Sequence, residues 1–168
     1  MSDWILACAF AYGCSTANGG AVDLSWKLRP QSGATDDPNV PSFLDCSVQG
    51  SNGTQLAGQV KWIELDWEVE STSGKQRFCC SRENGVTTFD LPSGIASLSV
   101  VPVCMDGSAA APDTYVAPAP ELRAVTEGAT ITLGAVELIV DVASNQDQCS
   151  STVPCICKGI TGDPTCNN

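Results

Sequence analysis

Hydrophobic and polar residues alternate with a period of two over most of the chain. Between Ala21 and Arg29, Val22, Leu24, Trp26 and Leu28 fall on one side, and Asp23, Ser25, Lys27 and Arg29 on the other. Successive side chains of a strand point to opposite faces, so this pattern predicts a half-buried strand. Lys61–Glu70 repeats it, with Ile63, Leu65, Trp67 and Val69 alternating against Glu64, Asp66, Glu68 and Glu70. Further strands are expected over Gln76–Ser81, Val86–Leu91, Ile95–Met105, Leu122–Thr126 and Ala129–Val142, with short ones at Phe43–Val48 and Tyr115-Val116. Turns are expected at Ser71–Lys75, Arg82–Gly85 and Pro92-Ser93-Gly94, and loops over Pro30–Ser42, Gln49–Gly58 and Asp106–Glu121. In the last strand the apolar phase shifts from Ile131 and Leu133 to Val136, Leu138, Val140 and Val142, which predicts a bulge at Gly134. No stretch carries a helical period of useful length. Short strands separated by turn residues predict an all-β chain forming one antiparallel β-sandwich of about seven strands.

Composition supports a packed chain. Of the 168 residues 43% are hydrophobic and 16% charged, enough apolar surface for a core and too little charge for bulk disorder. The net charge is −11, from 8 Lys+Arg against 19 Asp+Glu. Such a surface repels phosphate backbones and anionic lipid headgroups, so neither nucleic acid nor an electrostatically held membrane is an expected partner. Histidine is absent, which excludes Ser-His-Asp and Cys-His catalysis. Gly-x-Ser-x-Gly and phosphate-cradling glycine loops are absent too. No cofactor and no catalytic activity are expected.

Ten cysteines change the picture most. With no His and no Cys-x-x-Cys pair, zinc is the poorer explanation and disulfides in an oxidising compartment the better one. An exported chain needs a leader. Trp4–Gly13 is an apolar run too short to span a bilayer but of the length of a signal-peptide core. Asp3 stands where a basic residue is usual, and a start placed too far downstream would account for it. Ala11-Tyr12-Gly13-Cys14 resembles the site at which a bacterial lipoprotein is cleaved and its cysteine acylated, with a polar Ser-Thr-Ala-Asn-Gly-Gly tether after it. The competing Ile5-Leu6-Ala7-Cys8 would leave nine cysteines beyond the acylated one. Cleavage before Cys14 leaves an even set of Cys46, Cys79, Cys80, Cys104, Cys149, Cys155, Cys157 and Cys166. The alternative is an ordinary buried N-terminal strand. The expected layout is a leader over 1–13, a tether over 14–20, a sandwich over 21–142 and a Cys-rich tail over 143–168.

Adjacent strand residues face opposite ways, so Cys79 and Cys80 need different partners. The expectation is that each pairs with one of Cys46 and Cys104, and that the four tail cysteines pair among themselves. A reactive thiol at Cys155-Ile156-Cys157, helped by Lys158, is the alternative for the tail.

The run Gly85 to Val100, with Phe89, Leu91, Pro92, Gly94 and Leu98, resembles a hairpin of prealbumin-like sandwiches, the carboxypeptidase regulatory-like and collagen-binding B-type domains. Glu127-Gly128-Ala129-Thr130-Ile131-Thr132-Leu133 is similar to their closing strand, although Ala96 stands where these families usually carry an aromatic. The chain also resembles small cysteine-bearing lipoproteins of Gram-negative bacteria. These resemblances imply a scaffold or binding module and carry over no active-site residue.

Glu64, Asp66, Glu68 and Glu70 are candidates for a hard cation, but ligands must converge and a row on a straight strand diverges. A solvated outer face is the better reading. Asp36-Asp37 has the same limitation. Trp26 and Trp67 fall on apolar faces and are expected in the core. Trp62 falls with the acids, where it would stack on a sugar or lie under the preceding loop, the latter being preferred. Asn52-Gly53-Thr54 is a glycosylation sequon with meaning only in a eukaryotic host. Together these readings predict a non-catalytic, lipid-anchored or secreted module of the cell envelope that meets an envelope protein. The alternative is a carbohydrate- or cation-binding sandwich.

Overall fold

The computed structural model describes residues 18–31, 40–44, 46, 60–142, 149, 155–160 and 166. Eight strands are found among them: β1 Ala21–Pro30, β2 Val60–Val69, β3 Thr72–Cys79, β4 Asn84–Val86, β5 Gly94–Cys104, β6 Tyr115–Val116, β7 Glu121–Val125 and β8 Thr130–Val140. They form two four-stranded sheets, ordered β4-β1-β8-β6 and β3-β2-β5-β7. The chain is all-β, and the two sheets pack as a sandwich.

The alternation on the strands places the core. Val22, Leu24, Trp26 and Leu28 of β1 and Val136, Leu138 and Val140 of β8 are buried against Ile63, Leu65 and Val69 of β2 and Ala96, Leu98 and Val100 of β5. Each Val, Leu or Ile among them contributes about 1.5–3 kcal/mol by leaving water. Trp26 also satisfies its one polar atom, since Nε1 donates to the Cys80 carbonyl at 2.9 Å. Its ring lies 6.0 Å from that of Phe78.

Pairing departs from the expected pattern in one major respect. β1 and β8 run parallel, in register from Ala21↔Thr130 to Pro30↔Val140, at the centre of their sheet. The first and last described strands can pair this way because the whole second sheet serves as the crossover between them. The bulge is where the phase shift put it. Asp23 pairs with Thr132 and Leu24 with Gly134, so Leu133 is the extra residue, and Gly134 takes a φ of 70°.

Three local expectations are corrected. The β2–β3 turn is Glu70-Ser71 rather than Ser71–Lys75, with Glu70 at φ 53°. β3 ends at Cys79 and Cys80–Arg82 forms a short 3-10 turn, so the strand does not reach Ser81. The strand expected over Val86–Leu91 is displaced to Asn84–Val86, which pairs with β1. Beyond it only point contacts continue: Thr87 exchanges hydrogen bonds with Val22, and Leu91 with Gly20. Of the strand expected at Phe43–Val48, Leu44 bridges Leu28, and Asp45, Ser47 and Val48 lie outside the described residues.

The disulfides overturn the division into a core block and a tail block. Cys46 pairs with Cys80, but Cys79 pairs with Cys166 and Cys104 with Cys157, while Cys149 pairs with Cys155. Cα separations of 5.5–5.8 Å suit all four bridges. The physical reason lies in the faces. Cys80 turns into the core beside Trp26, whereas Cys79 stands opposite Trp62 on the outer face, beyond reach of a second core cysteine. The tail is also more than an appendage, since Ile156 is buried in the core cluster and its N–H donates to the Asp141 carbonyl at 2.8 Å. With these cysteines bridged, a reactive thiol at Cys155 or Cys157 is ruled out.

Two glycines test the packing in different ways. A Cβ on Gly85 would meet the Phe78 ring, so Gly85→Ala is expected to cost about 1–3 kcal/mol by overpacking. Gly134→Ala meets nothing but holds positive φ, and about 1 kcal/mol is expected from backbone strain alone. Chemical denaturation of the oxidised variants checks both, and a neutral Gly85→Ala would contradict the contact between β3 and β4.

Candidate functional site

The outer face of the β3-β2-β5-β7 sheet carries most of the polar chemistry among the described residues. Register sets it. Glu64 of β2 lies opposite Arg77 of β3, and Asp66 opposite Lys75. Lys75 Nζ donates to Glu64 Oε1 at 2.8 Å and Arg77 Nε to Glu64 Oε2 at 2.6 Å. Arg77 also donates from its second terminal nitrogen to the Gly107 carbonyl at 3.2 Å, tying the turn after β5 to β3.

The acidic row is therefore not a uniformly solvated face. Glu64 is 2% exposed, Asp66 is half-buried, and Glu68 and Glu70 are exposed, with Glu70 in the turn rather than on the strand. Glu64 is buried because it sits on an inner strand of the sheet, under the stems of two long cations. Burial pushes its carboxyl up, but hydrogen bonds from Lys75 and Arg77, with their positive charges, outweigh this and hold it below the ordinary 4.5. Asp66 goes the other way. Burial raises it above 3.8 and the Glu64 charge adds to this, against the pull of Lys75. One oxygen of Asp66, Oδ1, is buried without a hydrogen-bond partner, and Oδ2 is 3.5 Å from Lys75 Nζ.

Both Glu64 oxygens are thus already bonded to cations, and no group of three or more His, Cys, Asp or Glu gathers about one point among the described residues. A shallow hollow of ≈ 530 Å³ lies on this face over Asp66, Glu68, Lys75, Ser97 and Ser99. Trp67 packs across Gly74, where a Cβ would strike its indole, and is only partly buried.

Trp62 is half-buried on this same face, nearer the end where Cys79 and Cys166 are joined. The Lys61 ammonium stands 4.2 Å over its ring and the Arg77 guanidinium 5.7 Å away. The loop expected to cover it, through residue 59, lies outside the described residues, as do Cys8, Cys14, Asp36-Asp37 and Asn52-Gly53-Thr54. Sequence reasoning missed the cations around Trp62. The signal was present in the positions of Lys61, Arg77 and Arg82, but only the observed register draws them together.

Comparison with protein families, with curated proteins and with solved structures finds no match for the chain. No helix among the described residues is long and apolar enough to cross a membrane.

The two carboxylates respond oppositely to substitution. Glu64→Gln leaves two cations facing a neutral, buried amide, and about 1–3 kcal/mol of stability is expected to be lost at neutral pH, the exposure of the partners keeping it modest. The Glu64 contribution is present above the ordinary value of 4.5 and lost as pH falls through the lower folded value, so parent and variant converge in acid. Asp66 costs stability as pH rises from 3.8 through its raised folded value, so Asp66→Asn is expected to be at least as stable as the parent at neutral pH. Thermal melts across the acid range check both signs. A destabilised Asp66→Asn at neutral pH contradicts the assignment.

Proposed function

We propose that this chain is a non-catalytic, exported β-sandwich, held at a membrane by acylation of Cys14 and acting as a structural or protein-interaction module of the cell envelope. The observation that carries the reading is the set of four disulfides formed by Cys46, Cys79, Cys80, Cys104, Cys149, Cys155, Cys157 and Cys166. Thiols are kept reduced in the cytosol of most cells, so a scaffold closed by four bridges belongs outside it. The apolar Trp4–Gly13 run before Cys14 supports export, and the polar tether after Cys14 supports a domain held a short distance from a surface. A chain without histidine, whose buried carboxylate is bonded to two cations, offers little to acid–base chemistry.

Native protein isolated from its source membranes tests this directly. Intact-mass analysis is expected to find an N-terminus at Cys14 carrying acyl mass, and Cys14→Ser is expected to move the protein into the soluble fraction. An unmodified Met1 or Ser2 terminus on membrane-free native protein would overturn the anchor. Free thiols at most of the eight bridging positions would overturn export.

A further inference from the structure

We propose that the groove along the free edge of β3 is a binding site for an acidic polysaccharide, one whose sugars carry carboxylate or sulfate groups. The observation is a concentration of positive charge and an indole in a chain that is otherwise acidic. The groove has a volume of ≈ 470 Å³, and Trp62, Gln76, Arg77, Arg82, Asn84 and Val86 are among its walls. That is the size of a small-ligand site, with room for a short stretch of sugars.

Charge selects the ligand. Of the eight Lys and Arg residues in a chain of net charge −11, Lys61 and Arg77 stand over Trp62, and Arg82 shares the groove wall with it. Three cations elsewhere are neutralised in pairs, Arg29 with Glu137, Lys75 with Glu64 and Asp66, and Arg123 with Glu121, while Lys27 stands over the Phe43 ring in the hollow that Glu83 lines and Lys158 donates to the Cys149 carbonyl. Arg77 spends its charge on Glu64. Lys61 and Arg82 form no ion pair among the described residues, and Arg82 is exposed. The adjacent acid, Glu83, lines a different hollow, with Trp26, Lys27 and Cys80. The groove is therefore a local positive site on a negative molecule.

The other groups point to sugar. Gln76 and Asn84 each present an amide that donates and accepts, the inventory that matches hydroxyls. Arg82 has the planar fork that grips a carboxylate or sulfate with two hydrogen bonds. Trp62 supplies an apolar plane with a polar edge, against which the C–H face of a sugar ring packs. β3 is the outermost strand of its sheet, so backbone N–H and C=O groups are also presented along this edge. Nucleic acid is held by an extended basic track, and this groove offers only Lys61 and Arg82 unpaired about Trp62, in a chain of net charge −11. This proposal rests on export only for which ligands the protein meets. Binding to the purified chain is independent of the anchor.

The test is calorimetric titration of the oxidised full-length chain with five probes: oligogalacturonate, a heparin oligosaccharide, a maltooligosaccharide, an oligoglutamate peptide and oligo-dT. Binding of oligogalacturonate or the heparin oligosaccharide, weakening as salt rises, is expected, and a preference between them tells which anion the sugar carries. Arg82→Gln is expected to weaken it about tenfold, corresponding to one lost charge-assisted contact, with Arg82→Lys keeping part of the affinity. Trp62→Phe is expected to weaken it less than Arg82→Gln. Arg82 lies exposed on a turn, so its variants keep the parent melting temperature and separate binding from folding. Failure of both acidic sugars to bind at low salt overturns the proposal. So does equal or tighter binding of the neutral sugar, of oligoglutamate or of oligo-dT, and so does an Arg82→Gln variant that binds like the parent.

Discussion

The structure depends on two adjacent cysteines whose bridges leave in opposite directions. At the end of β3 the chain passes from strand into a 3-10 turn. Cys80 faces inward and closes on Cys46, while Cys79 faces outward and closes on Cys166. The first bridge fastens the chain between β1 and β2 to the core side of the sandwich, and the second fastens the C-terminal region to its outer face. Cys104–Cys157 then holds Ile156 in the core from the end of β5. Loops of 34, 87 and 53 residues are closed in this way. Cross-links over such spans act mainly by restricting the unfolded chain, each by about 3–5 kcal/mol in the chain-entropy account.

That constraint explains how the sandwich tolerates polar chemistry on a face that packs against little. The carboxylate of Glu64 is nearly lost to solvent, and it remains charged because Lys75 and Arg77 reach it from the neighbouring strand. Arg77 in turn holds the turn after β5 by the Gly107 carbonyl. Geometry fixed by the Cys79 bridge at one end of β3 and by the tight Glu70-Ser71 turn at the other makes this ion-pair lattice possible. An exposed pair of the same composition contributes little, because water competes for both partners. The proposed groove borrows the same frame, since Trp62 and Arg77 are set by the β2–β3 register and Arg82 by the turn that follows Cys79.

Period-two alternation made the sheets legible in the sequence. β1, β2, β5 and β8 were readable nearly to their ends because each buries one continuous apolar face, and even the Gly134 bulge followed from a change of apolar phase. The register of the β2–β3 hairpin was not readable. A turn at Ser71–Lys75 sets Glu70 opposite Gln76 and hence Arg82 opposite Glu64, whereas the two-residue turn sets Arg77 there. With the turn displaced, the acids of β2 looked solvated and the cations of β3 looked unrelated to them. Ser73 and Gly74 are turn formers by composition, but Gly74 is in a strand because the Trp67 indole needs its missing side chain. The parallel β1–β8 pair was hidden for a similar reason, since alternation reports which face is buried and not which strand lies alongside.

Cysteine pairing was the least legible feature, because position along the chain says nothing of the face on which a residue emerges. It is also the feature on which the rest stands. Digestion of the oxidised protein without reduction, followed by mass spectrometry of linked peptides, measures it. The peptide bearing Cys79 and Cys80 is predicted to be joined at once to a Cys46 peptide and a Cys166 peptide, with Cys104 joined to Cys157. Cys104 linked to Cys79 or Cys80, with the tail cysteines linked only to one another, would contradict the account.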